Sequence, residues 1–188
     1  MRTILASQSP RRIHLLKSIG IDFEVLPADV DERISTKMPP SKYCKYLAER
    51  KANHIAKQIN TPATIIAADT IVVQRSKIIN KPMDAADALR ILRQLSGTHH
   101  FVYTGVAVID TETARRVVDY SRTTVYFREL SDSEIRAYIS TGSPMDKAGA
   151  YGIQDDYGAL FVSRIEGCYN NVIGLPLEKL WEMLGSIR

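Results

Sequence analysis

The stretch TILASQSPRRIHLLKSIG, residues 3–20, predicts a buried strand followed directly by a helix. Thr3 to Ala6 is short and apolar, as expected for a strand with both faces covered. Ser9 and Pro10 are typical of a helix start, in which a side chain caps the first turn and proline takes the first helical position. Gly20 marks the expected end of this helix.

The rest of the chain extends this β–α unit into an alternation of strands and helices. Strands are expected at residues 23–27, 63–74, 77–80, 101–110, 116–127 and 160–162. Helices are expected at residues 43–59, 84–97, 131–142 and from Pro176 onward, with a polar loop at 29–41. Residues 101–110 and 116–127 alternate like two long antiparallel strands. The pattern predicts an α/β or α+β fold, with helices around one mixed sheet.

Length and charge narrow the class of protein. A chain of 188 residues is typical of one domain, and we expect a single domain over residues 1–188. The net charge of +4 arises from basic residues scattered among acids, which favours a phosphorylated small molecule over a nucleic acid. The two cysteines have no ligand spacing, so neither a zinc site nor a disulfide framework is indicated.

The apolar segments predict a cytoplasmic protein. None approaches the roughly 20 apolar residues that cross a bilayer. The short apolar stretch at the amino end is followed at once by arginines, which is unlike a signal peptide.

The segment LASQSPRR, residues 5–12, predicts an anion site. A helix that starts just after a strand presents unpaired backbone NH groups and the positive end of its dipole, and Ser7, Ser9, Arg11 and Arg12 lie there. Arginine can hold phosphate in a bidentate way. The alternative is a pair of solvated arginines on an exposed turn. The P-loop pattern GxxxxGK[ST] is absent from the sequence.

The segment AADTIVV, residues 67–73, places Asp69 at an apparent break in an apolar strand. Asp69 is a candidate metal ligand or a base that activates water, while the structural alternative is a strand-end aspartate that caps a turn. Glu32, Lys51 and Lys81 add one more acid and two more cations, although each alone is typical of a surface charge. Together these residues suit phosphoryl transfer, which needs carboxylates, a metal and cations.

A third segment, AGAYGIQDDYGALF at residues 148–161, has the glycine content of a ligand loop. Gln154 offers both an amide donor and an acceptor, as recognition of a base edge requires. Asp155 and Asp156 are candidate metal ligands or turn residues. We interpret His99 and His100 as loop residues.

These motifs together resemble the Maf family of nucleoside triphosphate pyrophosphatases. The resemblance covers nearly the whole chain in order. The motifs that carry it are LASQSPRR, VDE ending at Glu32, ERKA at 49–52, AADTIV, NKP at 80–82, DKAGAYGIQ and NNVIGLPL at 170–177.

The resemblance implies a fold related to the inosine triphosphate pyrophosphatases, with a central cleft, and cleavage of a nucleoside triphosphate into monophosphate and pyrophosphate. It implies a divalent cation, Mg²⁺ or Mn²⁺, near Glu32 and Asp69. Asp69 corresponds to the family's proton acceptor. The phosphate-side cations correspond to Arg12, Lys51 and Lys81, and the anion-binding turn corresponds to Ser7 and Ser9.

Three specificity positions of the family, Arg11, Thr70 and Gln154, carry the residues of the branch that acts on dTTP and UTP, with modified pyrimidine nucleotides as further candidate substrates. One alternative is a pyrophosphatase for 7-methylated guanine nucleotides. Another is a non-catalytic nucleotide-binding regulator of cell division. The expected partner is therefore a nucleoside triphosphate, with no nucleic acid and no membrane. A homodimer is compatible with the family, but the sequence identifies no interface.

Overall fold

In the computed structural model, which describes residues 2–32, 38–154 and 157–187, the described residues form one seven-stranded sheet in the order β2-β1-β3-β5-β6-β7, with β4 paired to β3. The strands are β1 Thr3–Leu5, β2 Glu24–Val25, β3 Thr64–Gln74, β4 Lys77–Ile79, β5 His99–Asp110, β6 Arg116–Phe127 and β7 Val162–Glu166. β1 is parallel to β2 and β3, whereas the β3–β4 and β6–β7 pairs are antiparallel. The predicted mixed sheet is confirmed.

The helices follow the predicted alternation, with one addition. They are α1 Pro10–Ser18, α2 Pro40–Ala56, α3 Ala85–Leu95, α4 Asp132–Ser140, α5 Tyr169–Ile173 and α6 Leu177–Ile187. Short 3-10 turns cover Ser143–Asp146, Ala148–Ala150 and Gly158–Phe161. The short helix α5 has no counterpart in the sequence prediction. No helix within the described ranges is long and apolar enough to cross a membrane.

Residue contacts divide the chain into two compact units. The first unit comprises Met1–Thr70, Thr104–Ser121 and Gly174–Arg188, and the second comprises Ile71–Tyr103 and Arg122–Ile173. The long strands β3, β5 and β6 contribute residues to both units. The expectation of a single domain over residues 1–188 stays a prediction.

One buried cluster of the first unit consists of alanine and isoleucine side chains. Helix α2 contributes Ala48, Ala52 and Ile55, which belong to the same buried cluster as strand residues such as Ile4 and Ile65. Small side chains let a helix approach a sheet closely, and α2 comes close to β5 at Gly105. A Cβ atom there would lie 2.3 Å from the backbone carbonyl carbon of Cys44 on α2. The position of α2 therefore depends on a residue that has no side chain.

The second unit has a core with several aromatic rings, in which Phe127, Tyr138 and Phe161 pack edge to face. Its two longest helices start with side-chain caps. Asp84 accepts a hydrogen bond from the backbone NH of Asp87 at the start of α3, and Ser131 and Glu134 form a capping box at the start of α4. Both helix starts are confirmed.

Several local predictions were wrong. The Ser9 side chain makes no capping hydrogen bond to α1. The backbone NH of Ser9 donates to Ser7 Oγ at 3.2 Å. The strand at residues 63–74 has no break at Asp69. Residues 160–161 belong to a 3-10 turn, and the strand begins only at Val162.

The prediction that His99 and His100 are loop residues was also wrong. They open strand β5, and His100 is fully buried with its Nε2 atom 2.8 Å from the hydroxyl of Tyr151. In the sequence, a histidine suggests a polar, exposed position. His100 is a core residue because the fold packs it against Phe127 and Tyr151.

Candidate active site

Two carboxylates of the first unit converge on one buried ammonium group. Lys51 lies on α2, and its Nζ atom is 2.6 Å from Oδ1 of Asp69 on β3 and 2.6 Å from Oε1 of Glu32. Lys51 and Asp69 are 7% and 5% exposed, whereas the side chain of Glu32 remains 57% exposed. A buried carboxylate without a partner would be strongly destabilising, so Lys51 allows Asp69 to occupy the interior of the strand.

Burial dominates the electrostatics of Asp69. Removal from water raises the pKa of the Asp69 carboxyl above its ordinary value, while Lys51 and Arg12 counteract the rise and the charge of Glu32 adds to it. A raised pKa makes a carboxylate a better proton acceptor near neutral pH. Asp69 therefore has the environment of a general base.

Arg12 is held by three hydrogen bonds, all within the first unit. Its Nε donates to the carbonyl oxygen of Gly174 at 2.9 Å, its Nη1 to Ser7 Oγ at 3.2 Å and its Nη2 to Thr70 Oγ1 at 3.1 Å. Burial lowers the pKa of the Arg12 guanidinium and Asp69 opposes the shift, but arginine stays charged at any physiological pH. The arrangement fixes the plane of a cation near Asp69.

The carbonyl that accepts from Arg12 depends on a glycine. Gly174 has φ of +126°, a backbone conformation that other residues rarely adopt. A Cβ atom at this position would also approach Thr70 Oγ1 to 3.4 Å and Arg12 Nε to 3.8 Å. The motif NNVIGLPL thus supplies a backbone acceptor, which explains why its glycine contributes to the site.

Arg11 and Ser9 complete the anion-binding turn that the sequence predicts. Both are half-buried, and the positive charge of Arg11 lowers the pKa of Arg12, so the two guanidinium groups lie close enough to repel one another. Two like charges at the start of a helix are favourable mainly when an anion binds between or beside them. The assignment of these residues to an anion site stays a prediction.

Tyr43 and Cys44 lie near the carboxylates. The Tyr43 hydroxyl donates to the backbone carbonyl of Glu32 at 3.2 Å and so ties the segment before residue 33 to α2. Burial, with a smaller contribution from Asp69, raises the pKa of the Cys44 thiol to about 12. Cys44 is therefore a neutral thiol at physiological pH and is not an activated nucleophile.

Lys81 and Gln154 belong to the second unit, where both are exposed. Their motifs meet there, because the carbonyl of Asn80 accepts a hydrogen bond from the NH of Gly149 at 3.3 Å. Gly149 has φ of +74°, and a Cβ atom there would lie 3.0 Å from Val72. Asp155 and Asp156 lie outside the described residues. The assignment of Lys81 to phosphate and of Gln154 to the base stays a prediction.

The carboxylate pair fits the divalent cation that the resemblance implies. The described residues contain no group of three or more His, Cys, Asp or Glu side chains that could hold a metal. Both carboxylates lie 2.6 Å from the same Lys51 Nζ atom, so their oxygens face one point in the first unit. One or two carboxylates completed by substrate phosphates is the usual way in which proteins bind Mg²⁺.

Sequence reasoning missed three residues of this site: Thr104, Gly105 and Tyr43. Thr104 is fully buried, and its Oγ1 atom lies 2.9 Å from Oγ1 of Thr70. Each of these residues acts on another residue of the site rather than through its own charge. Gly105 and Thr104 lie inside an alternating strand pattern, so the local sequence carries no signal of their role.

The chain is similar to known proteins over nearly its whole length. A family model described as Maf-like protein matches residues 2–187. A protein of Clostridium perfringens strain SM101 named dTTP/UTP pyrophosphatase is 49% identical over 185 residues, which cover 98% of this chain and 96% of the relative. A protein of Caldicellulosiruptor saccharolyticus with the same name is 45% identical over 189 residues, covering 99% and 94%.

Solved structures support the fold alone. The Ham1 protein of Coxiella burnetii superposes with a TM-score of 0.51 at 14% identity, covering 99% of each chain. The Staphylococcus aureus Ham1 protein gives 0.50 at 14% identity over both whole chains. The family match extends over nearly all of the sequence, and the seven motifs lie within it. The chain therefore belongs to the Maf family.

Proposed function

We propose that this chain hydrolyses dTTP and UTP to the nucleoside monophosphate and pyrophosphate. The observation that carries the proposal is the convergence of Asp69 and Glu32 on buried Lys51, next to an arginine that three hydrogen bonds hold in place. Relatives 45–49% identical over nearly their whole length are named dTTP/UTP pyrophosphatases.

Arg12 and Arg11 bind the phosphates in the proposed reaction. Arg12 commits three N–H groups to Gly174, Ser7 and Thr70, and a guanidinium has five. The remaining N–H donors can bind phosphate oxygens without any change in the orientation of the guanidinium plane. Such preorganised cations neutralise the charge that develops as the bridging oxygen leaves with pyrophosphate.

Asp69 accepts the proton of the attacking water. Its raised pKa suits this role, and Lys51 holds the carboxylate in one orientation through Oδ1. The Lys51 ammonium has three donors, of which Asp69 and Glu32 take two, so one is available to a phosphate oxygen. Lys81 is proposed as a further phosphate-side cation on the strength of the resemblance.

Glu32 and Asp69 would hold the divalent cation, Mg²⁺ or Mn²⁺. When bound, such an ion neutralises phosphate charge and polarises the phosphoryl oxygens. The exposed side of Glu32 leaves room for a second ligand besides Lys51.

Pyrimidine preference is proposed for Gln154 together with Arg11 and Thr70. A glutamine amide can satisfy both the carbonyl and the ring NH of uracil or thymine, whereas cytosine offers a different pattern. A site built around that pairing leaves polar groups without partners when the wrong base enters.

The test is product analysis with a panel of nucleotides. The purified chain would be incubated with dTTP, UTP, CTP, GTP and 7-methyl-GTP plus Mg²⁺ or Mn²⁺, and both pyrophosphate and orthophosphate would be measured. Pyrophosphate is expected from dTTP and UTP. In Asp69→Asn, loss of the base is expected to lower kcat by roughly 10²- to 10⁴-fold. The exposed Asp22→Asn serves as the matched control and should retain full activity.

Other outcomes favour the alternatives. Preferential turnover of 7-methyl-GTP would move the chain to the branch for methylated guanine nucleotides. Tight nucleotide binding without turnover of any triphosphate would support a non-catalytic regulator. Release of orthophosphate alone would contradict cleavage between the α- and β-phosphates.

We also propose that the reaction takes place in the cytoplasm on free nucleotides. The scattered basic residues offer no extended patch for nucleic acid, and the described part of the chain has no helix that could span a membrane. Fractionation of cells with an antibody to the chain tests the location. A steep, salt-dependent affinity for DNA would contradict the choice of substrate.

A further inference from the structure

We propose that Thr104 is a positioning residue for the phosphate-binding arginine. Its buried hydroxyl orients the hydroxyl of Thr70, which in turn holds the guanidinium of Arg12. This inference rests on the proposed function, because it concerns how Arg12 is prepared to bind the phosphates of a nucleotide. The chain of contacts runs from β5 through β3 to α1, entirely within the first unit.

Thr104 is fully buried. It has no exposed surface, so it cannot touch a nucleotide. Its Oγ1 atom lies 2.9 Å from Oγ1 of Thr70, and Thr70 is only half-buried. Any effect of the Thr104 hydroxyl on substrate binding must therefore pass through another residue, and Thr70 is placed to transmit it.

The Thr70 hydroxyl makes hydrogen bonds with both Arg12 and Thr104. Its Oγ1 accepts from Arg12 Nη2 at 3.1 Å, so a lone pair must face the arginine. A free threonine hydroxyl rotates and has no such preference. If Thr70 donates to Thr104, its lone pairs are left for Arg12. If Thr104 is the donor, Thr70 accepts twice and can direct its proton to the Gly174 carbonyl at 3.5 Å. Both directions keep a lone pair toward Arg12.

The three acceptors that hold Arg12 differ in how they are themselves oriented. Ser7 Oγ is fixed by the backbone NH of Ser9 at 3.2 Å, and the Gly174 carbonyl is fixed by the backbone itself. Thr70 is the acceptor whose orientation depends on another side chain, and Thr104 is that side chain. Without the Thr104 hydroxyl, the Thr70 hydroxyl keeps only the 3.5 Å contact with the Gly174 carbonyl to orient it toward Arg12.

Two variants separate the hydroxyl from the volume of Thr104. Thr104→Val keeps the shape and removes the hydroxyl, whereas Thr104→Ser keeps the hydroxyl. Binding would be measured by calorimetry with a dTTP analogue that has a methylene group between the α- and β-phosphates, so no turnover is needed. Thr104→Val is expected to weaken binding about 3- to 10-fold, as for loss of one hydrogen bond, while Thr104→Ser stays within about twofold of wild type.

A double-mutant cycle with Thr70→Val tests the route. If Thr104 acts through Thr70, the double variant Thr70→Val/Thr104→Val binds as weakly as Thr70→Val alone, because the second hydroxyl has nothing left to orient. Two losses that multiply would overturn the proposal. So would a Thr104→Val protein that loses stability to urea but binds the analogue like wild type, since that result assigns Thr104 a purely structural role.

The cycle also distinguishes this inference from the proposed function. Failure of the wild-type chain to release pyrophosphate would refute the function and leave the binding cycle interpretable. Normal pyrophosphate release with an unchanged affinity in Thr104→Val would refute only the positioning role. Should Thr104→Val fail to fold, Thr104→Cys supplies a similar volume with a weaker hydrogen-bonding group, and a loss between those of wild type and Thr70→Val is expected.

Discussion

The Nζ atom of Lys51 lies 2.6 Å from Oδ1 of Asp69, and both side chains are almost completely buried. In this pair, the positive charge of Lys51 compensates the negative charge of Asp69. We expect Lys51→Met to lower the free energy of unfolding by about 3 kcal/mol at neutral pH, because it leaves the Asp69 carboxylate buried without its counter-ion. Urea unfolding measures the effect, with exposed Lys42→Met on the same helix as a control that should change little.

The pH dependence of this loss has a defined sign. In the folded variant the pKa of Asp69 is raised further, since burial already raises it and Lys51 no longer opposes the rise. A carboxyl whose folded pKa exceeds its unfolded value gains stability as the pH falls. The gap between Lys51→Met and wild type should therefore narrow from pH 7 toward pH 5. A gap that stays constant would show that Asp69 is not the cause.

Gly105→Ala should displace helix α2. The added Cβ would lie 2.3 Å from the carbonyl carbon and oxygen of Cys44, which is backbone and cannot turn away. We expect a loss of about 1–3 kcal/mol in the free energy of unfolding and a fall in kcat/KM, since α2 also carries Lys51.

Gly185→Ala is the matched control for that variant. Gly185 lies inside helix α6 with nothing within 4 Å of an added Cβ. The same substitution there should stabilise the chain by about 0.5–1 kcal/mol, because alanine restricts the unfolded chain and favours the helix. Equal effects of the two substitutions would contradict the packing explanation.

His100 should make the second unit sensitive to acid. Burial, with a smaller effect of His99, lowers the pKa of His100 to about 3, and the described structure shows no hydrogen-bond partner for its Nδ1 atom. A neutral histidine in the folded state becomes protonated on unfolding below its ordinary pKa of about 6.5. Stability should fall by about 1.4 kcal/mol per pH unit from about pH 6 toward pH 3 on this account.

The comparison for His100 is His100→Gln, which keeps a polar group near the Tyr151 hydroxyl and does not titrate. Urea midpoints for both proteins between pH 7 and pH 4 would reveal the difference, because all carboxyl groups are common to the two. In His100→Gln, the free energy of unfolding should fall less steeply with decreasing pH, because the contribution of the histidine is absent. Identical slopes would mean that another group controls acid unfolding.

Gln154→Ala should relax the choice of base without affecting the fold. Gln154 is exposed, so the free energy of unfolding should stay within about 0.5 kcal/mol of wild type. The ratio of kcat/KM for UTP to that for CTP should fall at least about tenfold, because the amide no longer distinguishes the two pyrimidine edges. Gln58→Ala, a change at an exposed glutamine of the first unit, should leave this ratio unchanged. Full discrimination in Gln154→Ala would remove the residue from base recognition.

Much of the fold follows from local sequence. The predicted strands are present at Thr64–Gln74 and Lys77–Ile79, and the predicted helices begin directly after Asp84 and Ser131. These features depend on neighbours within a few residues of the chain, which is why a reading of the sequence finds them. The same reading placed a break at Asp69, because it could not know that a lysine eighteen positions earlier neutralises the carboxylate inside the strand.

The amino-acid sequence supplies the reactive groups: two arginines at a helix start, two acids, a lysine and the motifs that resemble one family. Their arrangement arises only in the folded chain. It brings Glu32 and Asp69 onto one ammonium, buries His100 in an aromatic core and connects Thr104 to Arg12 through Thr70. Hydrogen bonds and ion pairs act over about 3 Å, and residues far apart in the chain reach that distance only when the sheet has formed.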